Sequence, residues 1–486
     1  MGVSPWKDFI DEAIYLDWGW RMTHEPGYLY YSLYDGKQPL LMWLFGISES
    51  IFSDPLFAGR FVSVLFGFLA MYGIYKIGKT YFDTRVACIA SFLYILIPIF
   101  SFYDRQALME ASLGTVGIWS AWYLLRIVDK RQIKDAIKLG VILGIGFLIK
   151  TTALVFFLTA VFLLLFFIFR KVSVSFKHLG VVLGSFFLTT ILLLINPQFW
   201  ETLSMNSRYG FTFSELIRFP ILSWGVNIIS DVEIMMFYVT PFVLLAGVGG
   251  LILQYKKPNK REQKILLMWV VVTLLFQIVL VKGVIPRYVV SFLPLLTIFS
   301  AAFLVFLLQK NKTLGVSLLL LTMSLPLMIT LVQILHPVLY IGSYDKLTRF
   351  SEISYINGHT SGYGMSELTS FIDTLQKKES QQIFVGIASN AGIPESALNA
   401  YYQKNPDVTI TYFDASLFQG ALDTYDCLVV DAPVYFVSRE RQTPGIEKFL
   451  IHLTDITNQV NDTRFGVWKL NTECEGEILE LTLEKT

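Results

Sequence analysis

The chain of 486 residues is 54% hydrophobic and 15% aromatic. Only 16% of it is charged, against the roughly 25% usual for soluble domains, and this excludes a soluble globular protein. With 39 Lys and Arg against 38 Asp and Glu, the net charge of +1 offers no field for nucleic acid, and no nucleic-acid partner is expected.

Residues 1–55 are polar, with 3 basic and 8 acidic residues, among them Asp11, Glu12, Asp17 and, further on, Asp35 and Lys37 in SLYDGKQPL. Apolar runs of membrane-spanning size then recur near 57–75, 86–101, 111–127, 138–149, 152–169, 179–195, 234–254, 265–281, 288–308 and 314–336, which predicts ten spans. Alternate loops differ in basic content, and the set 76–85, 126–138, 170–178, 255–264 and 309–313 holds 18 Lys and Arg where the opposite set holds 6. The richer set is therefore cytoplasmic, and both ends of the chain lie outside. An external N-terminal segment must be translocated, yet residues 1–56 carry no signal peptide. The expectation is one further helix upstream, which makes eleven spans. Residues 198–230 read as one or two amphipathic helices on the outer surface.

From residue 339 the character changes, with strand-like runs at 381–388, 408–413 and 426–437 alternating with helical stretches at 365–378, 394–404 and 444–457. That alternation predicts a small α/β domain. The organisation expected is an external first loop (1–56), a polytopic α-helical membrane domain (57–338) and an extracytoplasmic α/β domain (339–486). Cys88 falls in an apolar run while Cys427 and Cys474 lie far apart in this tail, so the three cysteines form neither a disulfide framework nor a metal cluster.

Charges at span ends on the outer side need a partner or a function. Arg105 and Glu110 sit in YDRQALMEA, Lys150 in GFLIKTTALV, and Arg287 and Tyr288 in GVIPRYVVSFLPLL. Each taken singly has an ordinary explanation, as an ion pair, a short turn or a headgroup contact. Their convergence on one face, beside the acidic first loop, argues against coincidence. Basic groups at this depth suit a lipid phosphate, and a nearby carboxylate can take a proton from a hydroxyl. The tryptophans Trp18, Trp20, Trp43, Trp200 and Trp224 are what an interfacial belt supplies in any case.

These stretches resemble the integral-membrane glycosyltransferases of the C-type fold (GT-C), in particular protein O-mannosyltransferases and the lipid A aminoarabinose transferase. The resemblance covers about residues 1–310 and rests on Asp11–Glu12, DGKxPL with Lys37 and Pro39, RxALME with Arg105 and Glu110, GFLIKTTAL with Lys150, and Pro286–Tyr288. It implies a donor made of a sugar on a polyprenyl phosphate, and an external cavity built by the first loop and the outer span ends. Asp11, with Glu12 beside it, is implied as base; Lys37, Arg105, Lys150, Arg287 and Tyr288 as the donor-phosphate set; Glu110, Tyr34 and Asp35 as groups orienting acceptor or sugar. Glu110 stands where relatives often have Asp, and Gly36 where the aminoarabinose transferase has an acidic residue, which leaves sugar and acceptor unassigned.

The reaction expected is an inverting single displacement, with no Gly-rich nucleotide-sugar loop and no covalent intermediate. Metal dependence is left open, since the adjacent Asp11 and Glu12 could bind one Mg²⁺ or Mn²⁺ without forming a distinctive site. Expected partners are the donor lipid, membrane lipids, and a protein, lipid or glycan acceptor; the expected location is the plasma membrane. A lipid-linked glycan ligase or polymerase is the nearest rival. A flippase would carry more charge within its spans and related halves.

Overall fold

The computed structural model describes residues 10–172, 174–256, 261–350, 362–387, 392–412, 427–430, 432–439, 449–457, 464–471 and 478–481. Contacts divide the chain into two units: Pro26–Leu44 with Arg60–Phe350, and Met1–Glu25 with Phe45–Gly59 and Ser351–Thr486.

The larger unit is helical. Among the described residues seven helices are long and apolar enough to cross a membrane, and eight if the bent pair Pro286–Phe292 and Leu296–Lys310 counts as one span. The ten runs predicted from sequence all correspond to helices, but three helices, Thr84–Leu96, Ile133–Ile149 and Pro241–Lys256, are shorter than a full span. Local signals set several boundaries. The Asp83 carboxylate accepts the Val86 N–H at 2.9 Å and starts Thr84–Leu96, and Asn311 caps Lys312–Leu335 in the same way.

Glu110–Lys130 is the central helix, with 83% of its apolar window buried against 22% for Lys312–Leu335. Glycines allow the close helix crossings that lipid surroundings favour. A Cβ on Gly250 would stand 2.0 Å from the Phe299 carbonyl oxygen, and one on Gly140 2.3 Å from that of Val182.

Two regions differ from the sequence expectation. Residues 221–239 form one continuous helix of membrane-spanning length, ending in a π-turn at Met235–Val239. Its polar residues made it read as a surface helix, yet Asn227 is 1% exposed and donates to the carbonyls of Ile278 (2.9 Å) and Val281 (2.8 Å). The Asn227 amide is thus satisfied by carbonyls across from it. The predicted span 234–254 is broken at Thr240, whose φ of 82° no helix accommodates.

The smaller unit holds helix Ile10–His24, helices Met365–Glu379 and Glu395–Tyr402, and seven strands: β1 (Ile383–Ile387), β2 (Val408–Tyr412), β3 (Cys427–Val430), β4 (Val434–Arg439), β5 (Leu450–Thr457), β6 (Arg464–Leu470) and β7 (Ile478–Leu481). A five-stranded sheet runs β2-β1-β4-β6-β5, and β3 pairs with β7 separately. β1 is parallel to β2 and β4, while β6 is antiparallel to β4 and β5. The stretch expected to be helical over 444–457 is strand β5 in its described part. Ile451, Thr454, Ile456 and Thr457 are β-branched, and pairing with β6 outweighs helix propensity.

Candidate active site

The candidate site is assembled in the helical unit from five separate segments. The first is the 3₁₀ turn Tyr31–Asp35, which ends at Gly36 with φ 72°. That left-handed position is one glycine occupies without strain. It turns the chain so that the Lys37 N–H reaches the Ser32 carbonyl at 3.1 Å and the Ser32 hydroxyl donates back to the Lys37 carbonyl at 2.9 Å. Lys37 lies 2.9 Å from Asp35.

Gln38, the next residue, is buried, and its side-chain carbonyl accepts the Thr151 N–H at 3.1 Å. This joins the first segment to the second, the turn after helix Ile133–Ile149 that carries Lys150. Lys150 then reaches 2.8 Å to Glu110 Oε1, at the start of the central helix, and Arg287 Nε donates to the same oxygen at 2.9 Å. The Ser291 hydroxyl fixes this helix start by donating to the Glu110 carbonyl at 3.0 Å. Tyr288 lies under Lys150, with the ammonium 5.2 Å from its ring centre.

The fifth segment, at residues 208–215, closes the circuit. Tyr209 meets Tyr288 edge-on at 6.0 Å, and Arg208 comes within 3.9 Å of Asp35. Residues 209–211 are strapped to 280–282 by the Gly210–Val281 bridge, and Lys282 pairs with Glu215 at 2.7 Å. The Lys282 ammonium, with the Thr212 N–H and hydroxyl, holds the Glu215 carboxyl down at about 2.

The ring has a depth gradient. Side-chain exposure rises from 0% at Glu110 through 13% at Arg287 and 18% at Lys150 to 34% at Asp35 and 61% at Arg208. Among the described residues, four cations, Lys37, Lys150, Arg208 and Arg287, and two carboxylates, Asp35 and Glu110, meet on this ring, with Lys150 and Arg287 at its least exposed end.

Of the residues singled out from sequence, Tyr34, Asp35, Lys37, Glu110, Lys150, Arg287 and Tyr288 all fall on or beside this ring. Arg105 is held by other groups, donating to the Ser101 carbonyl at 2.6 Å and to Gln333 at 3.0 Å. Asp11 and Glu12 open helix Ile10–His24 in the other unit, with Glu12 buried and Asp11 half-buried. Gln38, Arg208, Tyr209 and Ser291 escaped sequence reasoning. Among the described residues no three His, Cys, Asp or Glu side chains gather into a metal-binding group.

Residues 36–195 match the family described as dolichyl-phosphate-mannose-protein mannosyltransferase, a stretch that includes Lys37, Gln38, Glu110 and Lys150. Over 312 residues the chain is 24% identical to an undecaprenyl phosphate-alpha-4-amino-4-deoxy-L-arabinose arabinosyl transferase of Pseudomonas savastanoi pv. phaseolicola. That alignment takes in 60% of this chain and 55% of the relative, so the chain spans little more than half the relative's length. The structure of ArnT from Cupriavidus metallidurans bound to undecaprenyl phosphate superposes with a TM-score of 0.56 at 13% identity, over 95% of this chain and 94% of that one. The apo structure of the same protein gives the same values. The chain is a multi-pass membrane protein with the fold of ArnT, as the resemblance to C-type glycosyltransferases implied.

Proposed function

We propose that this chain transfers a sugar from a polyprenyl-phosphate carrier to an acceptor hydroxyl on the outer face of the cell membrane, where the C-terminal domain also lies. The observation that carries this reading is the gathering of four cations, Lys37, Lys150, Arg208 and Arg287, on one ring, with Lys150 and Arg287 at its least exposed end. A sugar phosphodiester carries one negative charge, whereas the departing phosphate monoester carries close to two at neutral pH. Cations fixed in place in a partly dry site stabilise the departing state more than the bound one, and only that difference accelerates chemistry.

The acceptor oxygen bonds to the anomeric carbon from the face opposite the phosphate. The bond from that carbon to the phosphate oxygen breaks, and its electron pair leaves on the polyprenyl phosphate. The acceptor proton passes to a carboxylate, with Asp11 first and Glu12 second in line, and the anomeric configuration inverts. Should a divalent cation take part, these two carboxylates are the ones it would use. Lys150 and Arg287 are held in place before reaction by Glu110, so little reorganisation is needed as charge develops.

The test is release of free polyprenyl phosphate from a radiolabelled series of polyprenyl-phosphate hexoses and pentoses, in membranes containing the full chain. Arg287→Ala is expected to slow release by about 10²–10³-fold, and Asp11→Asn by about 10²–10⁴-fold. A wild-type chain that consumes none of these donors, or variants equal to wild type, would overturn the proposal.

A further inference from the structure

Beside the ring lies a feature the reaction above does not use. Tyr28, Tyr31 and Tyr34 follow one another at intervals of three residues, in a stretch built from successive i→i+3 turns. The Tyr31 N–H donates to the Tyr28 carbonyl at 2.8 Å, Leu33 to Tyr30 at 2.9 Å and Gly36 to Leu33 at 2.8 Å. With three residues per turn, side chains at this interval eclipse one another. The tyrosines accordingly form one stripe, with ring centres 5.3 Å apart from Tyr28 to Tyr31 and 4.9 Å apart from Tyr31 to Tyr34. Tyr28 and Tyr34 are each 41% exposed.

The stripe ends on Asp35, which is paired to Lys37 and Arg208 on the ring. A row of aromatic rings, edge-on from Tyr28 to Tyr31 and tilted from Tyr31 to Tyr34, that leads into carboxylate, ammonium and guanidinium groups fits one ligand chemistry well. A pyranose presents an apolar C–H face to a ring and hydroxyls around its edge, and the spacing here is comparable to one pyranose length. A purely interfacial tyrosine belt has no need of a paired carboxylate at its end.

We infer that Tyr28, Tyr31 and Tyr34 form a saccharide-binding stripe that guides a glycan acceptor towards Asp35. The inference rests on the transferase reading for the word acceptor, and the acceptor class it names is carbohydrate, whether free or lipid-borne.

The experiment separates the two ideas by measuring binding without turnover. Purified full-length chain in lipid nanodiscs is mixed with cellotriose, chitotriose or mannotriose, and saturation-transfer NMR is recorded on the saccharide. Wild type is expected to saturate at least one trisaccharide; Tyr31→Leu, which keeps an apolar side chain without a stacking face, is expected to abolish the signal, and Tyr31→Phe to keep it. Where the bound trisaccharide also accepts sugar, Tyr31→Leu should raise its KM by about 3- to 10-fold, with kcat the smaller effect. Saccharide binding without donor turnover leaves the inference standing and removes the transferase reading. Absence of binding in wild type, a full signal from Tyr31→Leu, or a lost signal from Tyr31→Phe each overturns the inference.

Discussion

Glu110 is the group on which the ring turns, and Glu110→Gln tests it most directly. One carboxylate oxygen receives both Lys150 and Arg287, at 2.8 and 2.9 Å, and the side chain has no exposed surface. The amide keeps the shape and removes the one charge that both cations share. Breaking a buried pair in this way costs about 3–5 kcal/mol. Unfolding entropy of about 2.1 cal/mol/K per residue, over 486 residues, makes each kcal/mol worth about one degree. The thermal midpoint of the purified chain should therefore fall by about 3–5 °C. Donor turnover should fall by about 10²–10³-fold, since neither cation keeps its position. Adding Lys150→Met removes one of the stranded cations, so the double variant should recover at least half of the lost stability and none of the turnover. Thermal unfolding and polyprenyl-phosphate release on the four proteins complete the cycle. An unchanged midpoint in Glu110→Gln, or a double variant no more stable than the single, would refute the idea that Glu110 organises the ring.

Gln38→Leu should lower turnover by about tenfold while leaving Lys37 and Lys150 chemically intact, because the half-buried Thr151 N–H loses the Gln38 acceptor that ties the two segments together, at a cost of about 1 kcal/mol; Gln38→Glu, which keeps an acceptor oxygen, should retain more activity in the same release assay. Gly250→Ala should prevent stable folding, as its Cβ would lie 2.0 Å from a backbone oxygen, whereas Gly184→Ala meets nothing within 4 Å and should match wild type in yield and thermal midpoint. Asp17, buried in helix Ile10–His24, is pushed up by desolvation to about 6 despite Arg21 beside it. Its folded value is raised, so its favourable contribution is complete below its ordinary value of 3.8 and is lost as pH rises through about 6. Unfolding followed from pH 4 to 7 should show this decline, by about 3 kcal/mol at most, and Asp17→Asn should flatten it.

The membrane helices were legible because lipid demands long apolar runs, while the expectation for the side of each loop came from a rule of translocation for basic residues. Glu110, Lys150 and Arg287 were legible for the complementary reason that each is a charge where the rule allows few. The remaining parts of the ring carry no such mark. Gln38 is an uncharged amide beside a lysine, and its role exists only through a bond to Thr151, 113 positions away. Arg208 lies in a segment whose polarity reads as surface, and nothing local announces that it returns to Asp35. Helix 221–239 was misread by the same limitation. Asn227, Ser230, Asp231 and Glu233 interrupt its apolar run, and only the opposing carbonyls of residues 278 and 281 reveal that part of this polarity is internal.

A consequence follows for how specificity divides over the molecule. The deep half of the ring, Glu110 with Lys150 and Arg287, is rigidly cross-paired, nearly closed to water, and built from groups at the ends of packed helices. The shallow half, Asp35 with Lys37 and Arg208, stands on a 3₁₀ turn and a strap, at exposures that permit exchange with solvent. Under the proposed function, a phosphate common to every polyprenyl donor relies most on the first, where water is scarcest. A partner that varies from one such protein to another is recognised where side chains are accessible, and the αL glycine at position 36 with its adjoining tyrosines lies on that half. Substitutions among residues 28–36 should therefore alter which acceptor is used, whereas substitutions at 110, 150 and 287 should lower transfer to every acceptor alike; a panel of acceptors assayed against one donor distinguishes the two patterns.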